Sequence, residues 1–331
     1  FFMHENIAHK KHAIDYLGAT VFFVAVGAFL IALTQSATLT DTQIAVLAAV
    51  SVAATAAFLL VEKRAAEPMI ALDLWGSRPI ATSNGALLFG MMALSGITSY
   101  LPLYFQGVLG YSAIYAGFPL TVMLVSWPLA SAVSGRILRH VSMRNTLRFG
   151  GLLIPIGAVF LLFLAPGENI LLAGIGPALM GFGMGLLNIT SVIMIQGSLE
   201  WSKRGSATAS LIFSRTLGNT VGVAALGALL NFGVVVYAAE GGAAMDPDRV
   251  RQILTSIGNI AGGGTEPALQ AALNQALHLA FWGMLAFAAL AGVFSLLIPV
   301  RELETLAGGT HEAKKPEAQK ETAPSFDEAA P

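Results

Sequence analysis

Eight long apolar runs, separated by shorter polar segments, organise this sequence. They cover roughly Tyr16–Leu33, Gln43–Val61, Ile80–Leu103, Ala113–Gly135, Phe149–Ala165, Ile170–Gln196, Ala207–Tyr237 and Ala276–Val300. A helix needs about 20 apolar residues to cross a hydrocarbon core of about 30 Å, and each run is near that length or beyond it. None has the short alternating pattern of a membrane barrel strand. Backbone polar groups find no water in lipid, so such runs must close their own hydrogen bonds as helices. The pattern predicts an all-α polytopic membrane protein with eight transmembrane helices.

The gaps set the organisation. Residues 1–15 read as a loop and 16–61 as two helices. The charged, proline-bearing segment 62–79 reads as a linker, and 80–300 as six further helices. The longest gap, 238–274, contains Asp246-Pro247-Asp248 followed by Val250, Ile253, Leu254 and Ile257 at helical spacing. That fits a short amphipathic helix on the outer surface or, alternatively, a solvated loop. The tail 301–331, rich in Glu, Lys, Ala and Pro, is expected to be disordered. The opening Phe1-Phe2-Met3-His4-Glu5 carries neither an initiator Met nor a signal-peptide pattern and reads as the middle of a loop.

Charge gives these helices a direction. Counting the N-terminus as side one, the gaps of that side hold 15 of the 18 Lys and Arg residues; the other side holds only Arg249 and Arg251. Short basic loops stay cytoplasmic, so both termini are expected in the cytoplasm of a bacterial-type inner membrane. At 55% hydrophobic and 11% charged, the chain is far poorer in charge than a soluble domain, where about 25% is usual. A net charge of -1 with dispersed basic residues gives no footprint for nucleic acid. The absence of cysteine excludes disulfides, thiolate metal sites and cysteine nucleophiles.

No motif for catalysis, metal or cofactor is found: no P-loop, dinucleotide fingerprint, nucleophile elbow or metal-ligand histidine spacing. An enzyme is therefore the least favoured class. Gly181-Phe182-Gly183-Met184-Gly185 lies inside an apolar run, where close helix packing outweighs a phosphate loop. Gly181 with Gly185, and Gly218 with Gly222, each place two glycines on one helix face. Prolines within runs (Pro102, Pro119, Pro128, Pro155, Pro177) are expected to bend them. Tyr100, Tyr104, Tyr111 and Tyr115 cluster at one outer turn, where an interfacial anchoring belt is the default expectation.

Arg215 falls inside a run, and no Asp or Glu does. An intramembrane Arg costs about 2.5–3.5 kcal/mol on insertion scales, so it needs a partner, a cavity or a route for snorkelling to the headgroups. With it, Asn84, Gln106, Asn188, Gln196 and Asn219 are the candidates for lining a substrate cavity. For each of these uncharged residues an interhelical hydrogen bond is the competing role.

Several segments resemble the fourteen-helix drug:proton antiporter branch of the major facilitator superfamily. They are Asp15-Tyr16-Leu17-Gly18-Ala19, Glu67-Pro68-Met69-Ile70-Ala71-Leu72, Leu101-Pro102-Leu103-Tyr104-Phe105-Gln106, Gly110-Tyr111-Ser112 and Arg215-Thr216-Leu217-Gly218 with Gly222-Val223-Ala224. The resemblance implies that the first two helices are an inserted pair and the other six the C-terminal half of the fold. It implies efflux of amphipathic or cationic drugs in exchange for protons, with lipid as surroundings, no cofactor, and a missing N-terminal six-helix half that carries the proton-binding carboxylates. Gly135-Arg136-Ile137 through Arg144 resembles the superfamily's cytoplasmic gating loop, with Arg139 where an acid is common and Ser142 where a glycine is common. A nutrient, siderophore or metabolite transporter of the same superfamily, or a non-transporting eight-helix scaffold, is the alternative.

Overall fold

The computed structural model describes residues 15–35, 39–64, 72–164, 170–240 and 267–299. Their elements are helical: α1 (Tyr16–Thr34), α2 (Asp41–Glu62), α3 (Leu72–Trp75), α4 (Arg78–Ser99), α5 (Leu101–Leu103), a π-helical turn (Tyr104–Val108), α6 (Ala113–Ala116), α7 (Phe118–Ile137), α8 (Met143–Leu162), α9 (Ile170–Ser198), α10 (Trp201–Glu240) and α11 (Pro267–Leu296). Among the described residues eight stretches are long and apolar enough to cross a membrane, one for each predicted run. The predicted amphipathic segment 246–257, the loop 1–14 and the tail 301–331 lie outside the described residues.

Helix ends are set by local chemistry. Asp15 accepts from Gly18 N at 2.8 Å to start α1, and Thr40 forms a reciprocal capping box with Gln43 at α2. Ser142 caps α8 through Asn145 N, at the position where the resemblance expects a glycine. Each cap satisfies an N–H that the first helical turn leaves open. Five helices start earlier than their apolar runs, α2 at Asp41 and α4 at Arg78 by two residues, and α8 at Met143, α10 at Trp201 and α11 at Pro267 by more than a turn. Hydropathy marks where apolar composition begins, whereas the hydrogen-bond ladder continues into polar flanks. At α10, Arg204 donates from Nε to Leu199 O at 2.9 Å and lies 5.6 Å above the Trp201 ring.

Two of the expected proline bends are helix starts. Pro102 follows the break at Tyr100, and Pro119 occupies the first turn of α7, where the missing N–H is not needed. Pro128, Pro155 and Pro177 do lie inside helices.

Packing is organised around two seams. α9 lies along both α7 and α8, while α4 lies along α10 and α11, and α11 closes the bundle against α8. Lipid tails are as apolar as leucine, so these contacts depend on close fit rather than on expulsion of water. The fit is made by small residues. A Cβ built on Gly150 would meet Gly183 O at 2.9 Å, and one on Gly157 would meet Gly176 O at 2.6 Å, so backbone touches backbone along α8–α9. α1 and α2 pair with each other and reach the rest mainly through α10. Phe22 is the hinge of that contact, with ring centroids 5.2 Å from Phe58 and 5.4 Å from Phe213.

The tyrosine cluster departs from the anchoring expectation. Tyr104 is fully buried and donates to Leu164 O at 3.0 Å; Tyr100 donates to Val223 O at 2.7 Å. Their hydroxyls satisfy backbone carbonyls of other segments and tie the outer end of α4 to α8 and α10. Tyr111 tilts against Phe105, and Tyr115 is the exposed member.

Candidate functional site

The glycine pairs decide which side chains meet in mid-membrane. A Cβ on Gly185 would lie 2.5 Å from Trp127 O and one on Gly181 2.7 Å from Met123 O, so both glycines let α9 settle onto α7. Gly218 sits against the Leu88 carbonyl, and a Cβ on Gly222 would lie 2.5 Å from Met92 Cα, which draws α10 onto α4. One turn from Gly185, α9 presents Asn188; one turn before Gly218, α10 presents Arg215; α7 presents Trp127.

These three side chains converge. Arg215 Nη1 donates to Asn188 Oδ1 at 3.2 Å, and its guanidinium carbon lies 5.3 Å from the Trp127 ring centroid. At about 1.5 Å per residue from the basic ends of their spans, Arg215 lies about 18 Å deep and Asn188 and Trp127 about 15 Å. All three are thus near the middle of a hydrocarbon layer about 30 Å thick. Arg215 reaches sideways to two neighbouring helices rather than along its own helix toward the headgroups. A hydrogen bond from a charged donor contributes about 1.5–3 kcal/mol and a cation–π contact about 0.5–2 kcal/mol, together comparable to the insertion cost. The Nε–H is buried with no acceptor among the described residues. In the eight spans the carboxylates are Asp41 and Glu62, at opposite ends of α2, so no acid of the described residues shares this level.

The other candidates separate. Asn84 is fully buried and donates to Ser210 Oγ at 2.7 Å, an α4–α10 tie. Gln106 lies in the π-helical turn at the far end and donates to its own Pro102 O at 3.4 Å. Gln196 and Asn219 are exposed, Asn219 one turn beyond Arg215 on α10. Around the expected gating loop, Gly135 and Arg136 are exposed in the last turn of α7, and Gly135 has open space around its Cα. Arg144 lies in the first turn of α8 with its Nε buried, and Arg148 donates to Leu296 O at 3.3 Å, tying α8 to the end of α11. Glu62, expected as the first residue of a polar linker, closes α2 and is 2% exposed.

Trp127 was missed from sequence. The signal was present: tryptophan favours the membrane interface, and this one stands mid-run beside Pro128. A concavity of about 310 Å³ lies between α10 and α11 near their far ends, lined by Tyr237, Asn274, Gln275, His278, Leu279 and Trp282. There His278 donates from Nδ1 to Asn274 O at 2.9 Å, because a carbonyl can only accept.

The described residues thus form eight membrane-capable helices, fitted by glycines along two seams around a polar centre. The family model of the Major Facilitator Superfamily matches residues 12–223. The chain belongs to the Major Facilitator Superfamily. It is similar to the multidrug transporter protein MdtP of Bacillus subtilis (25% identity over 86% of this chain and 57% of the relative). It is also similar to multidrug resistance protein 3 of the same organism (29%, over 67% and 44%) and to multidrug resistance protein Stp of Mycobacterium tuberculosis (25%, over 69% and 43%). The chain spans about half the length of these curated relatives. In fold it resembles a bacterial homologue of the human lysosomal transporter Spinster, solved inward-facing and unoccupied, with TM-score 0.51 and 15% identity over 87% of this chain and 68% of that one. As a superfamily member with eight membrane-capable helices, it is a multi-pass membrane protein of a transporter family.

Proposed function

We propose that this chain is the C-terminal part of a secondary active transporter that exports drugs or other amphipathic compounds by proton antiport through alternating access. The observation that carries the reading is the polar centre of Arg215, Asn188 and Trp127, held at mid-depth where α7, α9 and α10 meet. Transporters of this architecture bind near the bilayer midplane and rock one half against the other around that site. A half-buried aromatic ring with a few convergent polar groups suits an amphipathic solute. Similarity to three proteins named for multidrug transport or resistance supports the substrate class.

In this reading α1 and α2 are the inserted pair of a fourteen-helix chain, and α4 to α11 form its C-terminal half. The narrow α1–α10 seam supports that division. The proton-binding carboxylates belong to the N-terminal half, because Asp41 and Glu62 are the carboxylates within these spans and both lie at helix ends. The basic ends of α7 and α8, with Gly135, Arg136 and Arg144, form the cytoplasmic gate, and both termini lie in the cytoplasm of an inner membrane.

The test is export of amphipathic dyes by the full-length protein in everted vesicles with an imposed pH gradient. Wild type is expected to accumulate dye only while the gradient lasts, and a protonophore to abolish accumulation. Dye movement unaffected by the gradient would refute proton antiport. Arg215→Ala is expected to lower the rate more than Arg215→Lys, and equal near-wild-type rates would remove Arg215 from the site.

A further inference from the structure

The guanidinium of Arg215 has five N–H donors in a planar fork, and its partners supply little for them. Asn188 Oδ1 accepts one N–H, the Trp127 ring covers one face, and the Nε–H is buried without an acceptor. Neither partner carries charge. The centre therefore holds a positive charge with no carboxylate partner among the described residues, and the Nη end of the fork, unlike the buried Nε, is the end a ligand can reach. The chain is tightly fitted around it: Gly185 seats α9 on the Trp127 backbone, and Gly218 seats α10 on Leu88 one turn from Arg215. The fork is thus held by two helix seams rather than free to withdraw.

An uncharged solute would leave the charge without a counterpart. A cationic solute would be repelled, because Coulomb forces here act through a low dielectric. A carboxylate supplies the missing counter-charge, since its two oxygens match the spacing of one Nη1–H and one Nη2–H in an end-on bidentate pair. From this geometry we infer that Arg215 is a carboxylate-binding centre, with Asn188 holding the third edge of the fork and Trp127 covering the apolar part of the ligand. It rests on the transport reading for its place in the cycle. The carboxylate has two sources: an anionic amphipathic substrate, or an acidic side chain of the full-length protein that docks when the halves close. Either would give the transporter a step that depends on the Arg215 fork rather than on charge alone.

The experiment uses the full-length protein in proteoliposomes with two matched probes, pyrenebutyrate and its uncharged amide, and measures both binding and transport. Substrate origin predicts that wild type favours the carboxylate by at least about tenfold. It predicts that Arg215→Gln loses that preference, its values for the two probes becoming equal, and that Arg215→Lys keeps part of it. Protein origin predicts that Arg215→Gln slows both probes alike. Neutralising one further acid elsewhere in the protein (Asp→Asn or Glu→Gln) would then restore both. Two results overturn the inference: Arg215→Gln treating both probes as wild type does, or losing both with no rescuing neutralisation. The thermal midpoint of each variant controls for folding. Selective binding of the carboxylate without transport of either probe would sink the export reading and leave this inference standing.

Discussion

At Gly218 a built Cβ falls against the carbonyl oxygen of Leu88, and at Gly222 it falls 2.5 Å from Met92 Cα. Those neighbours are backbone, which cannot swing aside as a long side chain could. Gly218→Val should therefore push α10 away from α4 and destabilise the protein by about 1–3 kcal/mol, the usual range for overpacking. Gly197, with nothing within 4 Å of its Cβ position, should accept alanine with a change inside about 0.5 kcal/mol. Unfolding in SDS, followed by circular dichroism, compares the two; equal midpoints would mean that the glycine seam contributes no specific fit. At this scale sequence gave half of the site. Arg215 stood out because a charge inside an apolar run is costly wherever it lands. Asn188 stood among the candidates without being tied to it, and Trp127 did not stand out, since both meet Arg215 only through packing of three helices. Asn84 and Asn219 look alike as letters, yet one is buried against Ser210 and the other is exposed. That distinction is made by helix rotation, which eight nearly all-apolar runs leave unmarked.

Between elements, α1 and α2 raise the question of what holds a hairpin that touches its neighbours so narrowly. Ser51 donates to Ala25 O at 2.9 Å, a buried polar contact across that pair, flanked by Phe22, whose ring tilts against Phe58 of α2 and Phe213 of α10. Interhelical hydrogen bonds in membranes average about 0.6 kcal/mol, so Ser51→Ala should cost no more than about 1 kcal/mol. Phe22→Ala removes contact with both helices and should cost more, about 3 kcal/mol. The same SDS titration ranks them, and a larger loss for Ser51→Ala would show that hydrogen bonding, rather than aromatic packing, fixes the hairpin. Existence of these elements was legible because lipid forces apolar runs into helices. Their ends were less so, as Met143, Trp201 and Pro267 show, because caps and polar first turns carry no hydropathy signal. Tyr104 misled for a related reason. A ring with one polar atom suits an interface, but it suits a buried carbonyl such as Leu164 O equally well.

For the molecule as a whole, the sidedness inferred from Lys and Arg can be checked by chemistry, because this chain contains no cysteine to interfere. Ile114, 86% exposed, begins α6 on the far side, whereas Trp201, 84% exposed, begins α10 on the basic side. Eight spans alternate direction, so these two positions must face opposite compartments. Ile114→Cys and Trp201→Cys are therefore expected to behave oppositely toward a membrane-impermeant maleimide in intact cells, using a full-length background without other cysteines. The Ile114→Cys protein should label at once, and the Trp201→Cys protein only after permeabilisation, because basic loops are retained in the cytoplasm. The reverse pattern would invert the molecule, moving Gly135, Arg136 and Arg144 outside and ending their role as a cytoplasmic gate. Labelling of both in intact cells would contradict the alternation itself. The site at Arg215 would keep its depth in either orientation, since about half the bilayer lies on each side of it. What orientation decides is the compartment into which the basic ends of α7 and α8 open, and so the side from which a substrate bound at Arg215 would enter.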